Sequence, residues 1–450
     1  MKQQQSKLTR EDEARAEMER TAVSPACVVW LISLFIAALL AVFIFQYADD
    51  LTQYFRGARP DAVPEFVRIE PLGKAPLRVF QTSEGSLWTR LMAANRTLLR
   101  EMKRYETGLE DSSWLAQRVL PQAQYVFASQ LGIGNEKVYR GLKGELFYRP
   151  DVDFITGRGF LDPAQMQRRQ LSSSDREIPL QPDPLAAIRE FDRELKELGI
   201  RLIVMPVPAK PSRRPSRLYK HYPDDLPAPL NPSYNDFIRQ LKADGIEVFD
   251  CLELLSNHKK GGYLKRDTHW LPSGAALAAE ALARRIRAMK LLPKQPPAGY
   301  TRREVDVASL GDIAAMLRLP EDTVLYDPEW VELFQVISPD KKLWTRSESS
   351  DVLLLGDSFA NIYSLPSMNW GVSAGLAEQL SYYLQRPVDR ITLNDNGSFA
   401  TRLELARRQA AGMRPLEGKK VVIWEFAARE LAQGDWQRIS IKPEGAAPDR

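Results

Sequence analysis

Cysteine and histidine are nearly missing from this sequence, with two of the first and three of the second in 450 residues. Cys27 adjoins a long apolar run and Cys251 lies far downstream, so no intrachain disulfide is expected. No zinc-type cysteine spacing is present either. Cys27 also precedes the apolar run instead of following it, which argues against a lipoprotein signal. A charge surplus is lacking as well. The formal net charge is only +4 and no long basic block occurs, so nucleic acid is not an expected partner. With 44% hydrophobic and 27% charged residues, the composition is that of an ordinary globular protein, long enough for one large or two medium domains.

One stretch is apolar enough to leave water. From Ala26 to Phe45, Ser33 is the one polar residue, and 20 residues suffice to cross a bilayer as a helix. A cleaved signal peptide is the competing reading, but such a peptide has a shorter apolar region that ends in small residues. This one ends in bulky Phe43-Ile-Phe45-Gln-Tyr47. It therefore reads as an uncleaved anchor over 26–46, behind a polar tail over 1–25. Lys2, Lys7, Arg10, Arg15 and Arg20 precede it, against Arg56 and Arg59 just after it. The positive-inside rule then leaves the N-terminus in the cytoplasm and the rest of the chain outside.

Residues 47–134 read as a linker and a helical region. Pro60, Pro64, Pro71 and Pro76 mark an extended stretch, and Leu91, Leu98, Leu99, Met102 and Leu109 follow at helical spacing. From 135 to 435 the pattern changes to an alternation. Strand candidates are 201–207, 246–249, 352–355, 388–393 and 421–426. Helices are expected at 184–198, 234–243, 275–289 and 399–408, with a C-terminal tail over 436–450. Such alternation calls for an α/β fold: a parallel sheet with helices on both faces and its site at the carboxyl ends of the strands.

The most informative stretch is Asp351-Val-Leu-Leu-Leu-Gly-Asp-Ser-Phe359. Its apolar run suits a buried strand, Gly356 permits a sharp turn, and Ser358 falls where a helix N-terminus favours developing negative charge. A serine nucleophile needs a base near neutral pH and a carboxylate to hold that base in one tautomer. With so few histidines, Asp267-Thr-His269 stands out as the pair able to supply both. His221 and His258 have no acidic neighbour at useful spacing and read as surface residues. No further ligands cluster around Asp267 and His269, so no metal is expected.

Gly356-Asp-Ser-Phe359 together with Asp267-Thr-His-Trp270 resembles the SGNH hydrolase-like domain of periplasmic alginate O-acetyltransferases and related exopolysaccharide acetylation proteins. Val204-Met-Pro-Val-Pro-Ala-Lys210 and Trp424-Glu-Phe-Ala-Ala-Arg-Glu430 are similar to further segments of that family, and the likeness runs over about 135–435. It implies a flavodoxin-like, circularly permuted sheet, because ordinary SGNH hydrolases place the serine first and the Asp-His pair near the end. It implies Ser358 as nucleophile, His269 as base and Asp267 as its orienting partner, with an acetyl-serine intermediate and no cofactor. It also implies an exopolysaccharide acceptor and an integral membrane O-acyltransferase that passes acetyl groups outward across the inner membrane.

The oxyanion donors are less determined. The Ser358 N–H is one, and the turn Asn394-Asp-Asn-Gly397 offers another at Gly397. Where SGNH enzymes carry an asparagine, this chain has Trp424-Glu-Phe-Ala-Ala-Arg429, so Arg429 either reaches the site or pairs with Glu425. Lys210 and the run Arg213, Arg214, Arg217 and Lys220 either grip an anionic polysaccharide or form a solvated loop. Trp270 and Trp370 either stack on sugar rings or, more commonly for such residues, pack in the core. An acetylesterase with the same triad and a non-catalytic polysaccharide-binding subunit are the alternative functions.

Overall fold

The computed structural model describes residues 24–57, 67–173, 178–223, 226–257 and 262–442. The polar tail before Ser24, Arg59, Pro60, Pro64, His258 and the last eight residues lie outside the described residues. The chain divides into two compact units, one running to Leu120 and the other starting at Pro121.

In the first unit, α1 (Pro25–Phe55) is 31 residues long, with Ser24 capping its N-terminus and its apolar side chains turned outward. It is long and apolar enough to cross a membrane. Two further helices follow, α2 (Glu70–Thr82) and α3 (Leu87–Ser112), packed as a hairpin in which Arg90 donates to the Phe80 carbonyl at 2.8 Å. Pro71 and Pro76 depart from the extended stretch expected of them. Pro71 occupies the first helical turn, which needs no N–H, while Pro76 costs α2 one backbone bond. The middle of α1 is pinned beside this hairpin. Phe45 stacks on Trp114 at 5.1 Å, and Gln46 bonds the Ser112 carbonyl and the Trp114 N–H at 3.0 and 2.8 Å. Trp114 begins α4 (Trp114–Val126), which leads into the second unit.

A small antiparallel hairpin opens that unit: β1 (Val138–Arg140) and β2 (Leu146–Tyr148). The main body then follows the expected alternation. Its elements are α5 (Pro184–Glu197), β3 (Arg201–Val207), α6 (Tyr234–Ala243), β4 (Glu247–Val248) and α7 (Pro272–Met289). An excursion unmarked by the alternation interrupts it, made of β5 (Thr301–Ser309), the short α8 (Asp312–Met316) and β6 (Glu329–Ile337). β5 and β6 pair antiparallel over their full length. The alternation resumes with β7 (Val352–Gly356), α9 (Ser358–Asn361), α10 (Leu376–Leu384), β8 (Asp389–Thr392), α11 (Ala400–Ala410) and β9 (Val421–Ala427).

The central sheet is all parallel, in the order β4-β3-β9-β7-β8. Counted from β7 as the first strand, this is the 2-1-3-4-5 order of flavodoxin-like sheets read from the other edge. The permutation is therefore written in the topology. Alternate residues face opposite cores, as strand geometry requires. Ile203, Met205 and Leu354 join α7 and α10 on one face, while Leu202, Val204, Leu353 and Trp424 join α5 and α6 on the other. The order reverses between β7 and β9, and the carboxyl ends of these two strands frame the site.

Candidate active site

Gly356 ends β7 where there is no room for a side chain, since an added Cβ would meet the Ala360 Cβ at 2.6 Å and Glu425 Oε2 at 2.8 Å. Asp357 fastens the turn that follows. Its carboxylate accepts from the Phe359 N–H at 2.9 Å and from the Ala427 N–H, at the end of β9, at 2.7 Å. Its own N–H donates to Glu425 Oε2 at 3.0 Å. Glu425 is fully buried, and burial followed by the neighbouring Asp357 pushes its carboxyl well above the usual range, which favours the neutral form. Ser358 thus stands at the N-terminus of α9, held by the sheet itself.

The partners of Ser358 come from an irregular loop after β4. His269 Nε2 lies 2.8 Å from Ser358 Oγ, and His269 Nδ1 lies 2.6 Å from Asp267 Oδ1. With Nδ1–H donating to the carboxylate, Nε2 presents its lone pair to the serine hydroxyl. All three residues are buried, and the Phe359 ring packs 4.7 Å from the imidazole. Burial alone would pull the imidazole below its ordinary value, but Asp267 overrides burial and holds it above. Burial would conversely raise Asp267, yet His269 and the donors around it bring that carboxyl far below the usual range.

Three distant residues clamp this loop. Lys210, completely buried, donates to the carbonyls of Leu146, Lys265 and Asp267 at 2.6, 2.8 and 3.2 Å. Burial pulls its ammonium down to about 8. Trp370 Nε1 donates to Asp267 Oδ2 at 2.9 Å. Asp312 donates its N–H to the same oxygen at 3.0 Å and accepts from the Thr268 N–H and hydroxyl at 2.7 and 2.8 Å. Its carboxyl, 3.8 Å from His269 Nδ1, is pushed up to about 6 by burial and by Asp267. Gly311 makes that approach possible: its φ is +93°, and an added Cβ would lie 2.5 Å from the Arg266 carbonyl oxygen. Asp267, His269 and Asp312 each place a metal-ligating atom within 4.8 Å of the others. In the described structure those atoms are engaged with one another and with Thr268 and Trp370.

The remaining expected residues distribute differently. Arg429 pairs with Asp151 at 3.1 Å and not with Glu425, and its guanidinium lies 5.3 and 5.9 Å from the Tyr148 and Phe359 ring centroids. Gly397 abuts the turn, where an added Cβ would meet Asp357 Oδ2 at 2.9 Å. Asn394 accepts from Asn361 at 3.0 Å. Trp270 is fully buried, edge-on to Phe359 at 5.6 Å. The three arginines of the basic run are absorbed by the fold, while Lys220 stays exposed. Arg214 and Arg217 both face the buried Glu145, and Arg213 donates to the Leu255 carbonyl at 2.6 Å. Sequence reasoning missed Asp312, Asp151 and the bond from Trp370. Asp312 belongs to the unanticipated excursion, and no local spacing ties it to Asp267.

A serine at a flavodoxin-like switch point, met by an Asp-x-His loop, defines the SGNH hydrolase-like class. The model of the SGNH hydrolase-like domain of acetyltransferase AlgX matches residues 168–428, more than half of the sequence. The chain belongs to that family and is an O-acetyltransferase of the SGNH hydrolase-like superfamily. It is 29% identical over 292 residues to the probable alginate O-acetylase AlgJ of Pseudomonas aeruginosa, covering 60% of this chain and 70% of that one. Over 262 residues it is also 29% identical to the AlgJ of Pseudomonas fluorescens, covering 55% and 61%. Among solved structures, the O-acetyltransferase domain of Pseudomonas putida AlgJ is similar with a TM-score of 0.48 and 23% identity, covering 66% of this chain and 93% of that one.

Proposed function

We propose that the protein is a membrane-anchored O-acetyltransferase that modifies an alginate-type exopolysaccharide outside the cytoplasm through an acetyl-Ser358 intermediate. The observation that carries this reading is the buried relay from Ser358 through His269 to Asp267. His269 takes the Ser358 proton as Oγ bonds to the acetyl carbonyl carbon. The negative charge developing on the carbonyl oxygen faces the Ser358 N–H, with Gly397 and Arg429 as further candidates to stabilise it. Collapse breaks the bond to the donor's leaving oxygen, which departs with the proton from His269. A sugar hydroxyl then repeats the sequence in the other sense: His269 takes its proton, the sugar oxygen takes the acetyl group, and Ser358 regains its hydrogen.

Helix α1 supports the anchor, with the N-terminus on the cytoplasmic side by the charge bias of its flanks. The acetyl donor is then best sought in an integral membrane O-acyltransferase, as the family resemblance of the sequence implies. Intact-mass spectrometry of the detergent-solubilised chain, mixed with an activated acetyl ester, tests the reading. One added acetyl group is expected on the wild type and none on Ser358→Ala. Discharge onto an added uronate oligosaccharide is the transferase outcome. Discharge to water alone would turn the reading into an esterase, and no Ser358-dependent adduct would sink it.

A further inference from the structure

An enzyme that acetylates an anionic glycan needs cations near its reactive loop, and the run Arg213, Arg214 and Arg217 is not available, being tied to Glu145 and Leu255. Unspent cations occur elsewhere. A cleft of about 500 Å³ opens beside Asp267 and Asp312, with Lys137, Arg318, Ser309 and Asn369 in its walls. Among the described residues, neither the Lys137 ammonium nor the Arg318 guanidinium has an ion-pair or hydrogen-bond partner, and both residues are exposed. Their turns are fixed together, because Asn135 donates from its amide to the Met316 carbonyl at 2.8 Å. Arg318 and, elsewhere in the walls, Asn369 hold left-handed backbone, with φ of 53° and 61°. For arginine this is strain of a kind that collects at binding sites.

The cleft borders the relay at its Asp267 end and is tied to the Ser358 helix by side-chain hydrogen bonds. Asp267 belongs to both. Met368, another wall residue, accepts at its sulfur from Asn394, which in turn accepts from Asn361 in the helix that begins at Ser358. A ligand seated here therefore lies against the reactive loop. Two unpaired cations on adjoining turns suit a carboxylate, which a guanidinium can take through two parallel hydrogen bonds, and the Ser309 and Asn369 side chains suit sugar hydroxyls.

Resting on the transferase reading above, we propose that this cleft is the acceptor subsite and that Lys137 and Arg318 select a uronate by gripping its carboxylate. The test uses the full chain in detergent, acetylated at Ser358, and follows discharge onto a uronate oligosaccharide and onto a neutral glucose oligosaccharide of equal length. The double variant Lys137→Ala, Arg318→Ala is expected to lower the second-order rate constant for the uronate acceptor by about tenfold or more. Its preference for uronate over neutral acceptor should fall toward one, with a flatter dependence on salt. Lys137→Arg with Arg318→Lys should restore much of the preference. An unaltered preference in the double variant, or an equal loss for both acceptors, would overturn the proposal. Should wild type form no acetyl-serine, the transferase reading fails by itself. Calorimetric binding of the uronate oligosaccharide to wild type and to the double variant then still decides whether the cleft holds a carboxylate.

Discussion

The two halves of the reactive relay are held by different means. Ser358 rides on the sheet: β7 delivers it, and Asp357 bonds both to its own turn and to the neighbouring β9. Asp267 and His269 ride on a loop outside the sheet, held by one antiparallel bridge between Tyr263 and Trp270 and by polar contacts to Lys210, Asp312 and Trp370. On the transferase reading, the proposed nucleophile is thus placed by topology and the proposed base by a clamp. Regular backbone pairing spreads its stability over many bonds, whereas a buried polar clamp depends on each of its members being satisfied.

Removing either half outright should have the largest effect. Ser358→Ala and His269→Ala are each expected to lower acetyl transfer by about 10⁴-fold or more, read as the initial rate of acetyl-serine formation or discharge. Next comes the clamp. Lys210→Met keeps the length of the side chain but removes the ammonium from the buried Leu146 and Asp267 carbonyls and from that of Lys265, which keeps the Leu146 N–H. A loss on the order of 3 kcal/mol is expected, seen as a fall in Tm of roughly 5 °C or more, with a transfer rate that drops further than the stability alone explains. Glu425→Gln, on the sheet side, offers the contrast. The amide replaces a carboxyl whose burial favours the neutral form, and its oxygen still accepts from Asp357, so the rate should change far less than in Lys210→Met.

Smaller changes sharpen the same contrast. Trp370→Phe removes a hydrogen bond to an ionised carboxylate and should cost about tenfold in kcat/KM, with little change in the circular-dichroism spectrum. The last effect is a displacement in pH. His269 must be neutral to accept the serine proton, and its environment holds it above the ordinary value, so activity should rise with pH through a midpoint above about 6.5. Asp312 adds negative charge beside the imidazolium and helps to raise it. Asp312→Asn should therefore move the acid limb to lower pH. A limb that stayed put would remove Asp312 from the electrostatics of the pair.

Most of the fold was legible because strand and helix periods leave local marks. The apolar run 352–355, the alternation after Arg201 and the proline at the start of α5 each located an element to within a residue or two. The meeting of Ser358 with the Asp267–His269 pair was legible for a related reason: each lies in a short segment whose residue types suit one chemistry. The clamp was not. Lys210, Asp312 and Trp370 lie 57, 45 and 103 residues from the Asp267 atoms they bond, and only folding brings them together. Even Arg429, flagged by its motif, chose Asp151 as its partner over the glutamate one helical turn away in sequence. Position four residues back means contact only within a helix, and Glu425 sits in a strand.

The pinning of α1 at Phe45 and Gln46 has a mechanical consequence. At 1.5 Å per residue its 31 residues extend about 46 Å, well beyond the roughly 30 Å of a bilayer's hydrocarbon. If α1 spans a bilayer as proposed, the surplus emerges as a stalk, and Phe45 and Gln46 couple the base of that stalk to Trp114 and the helical hairpin. With α1 as the anchor, a thinner or thicker membrane would tilt the helix, and the hairpin would swing with it as a lever swings about its pivot.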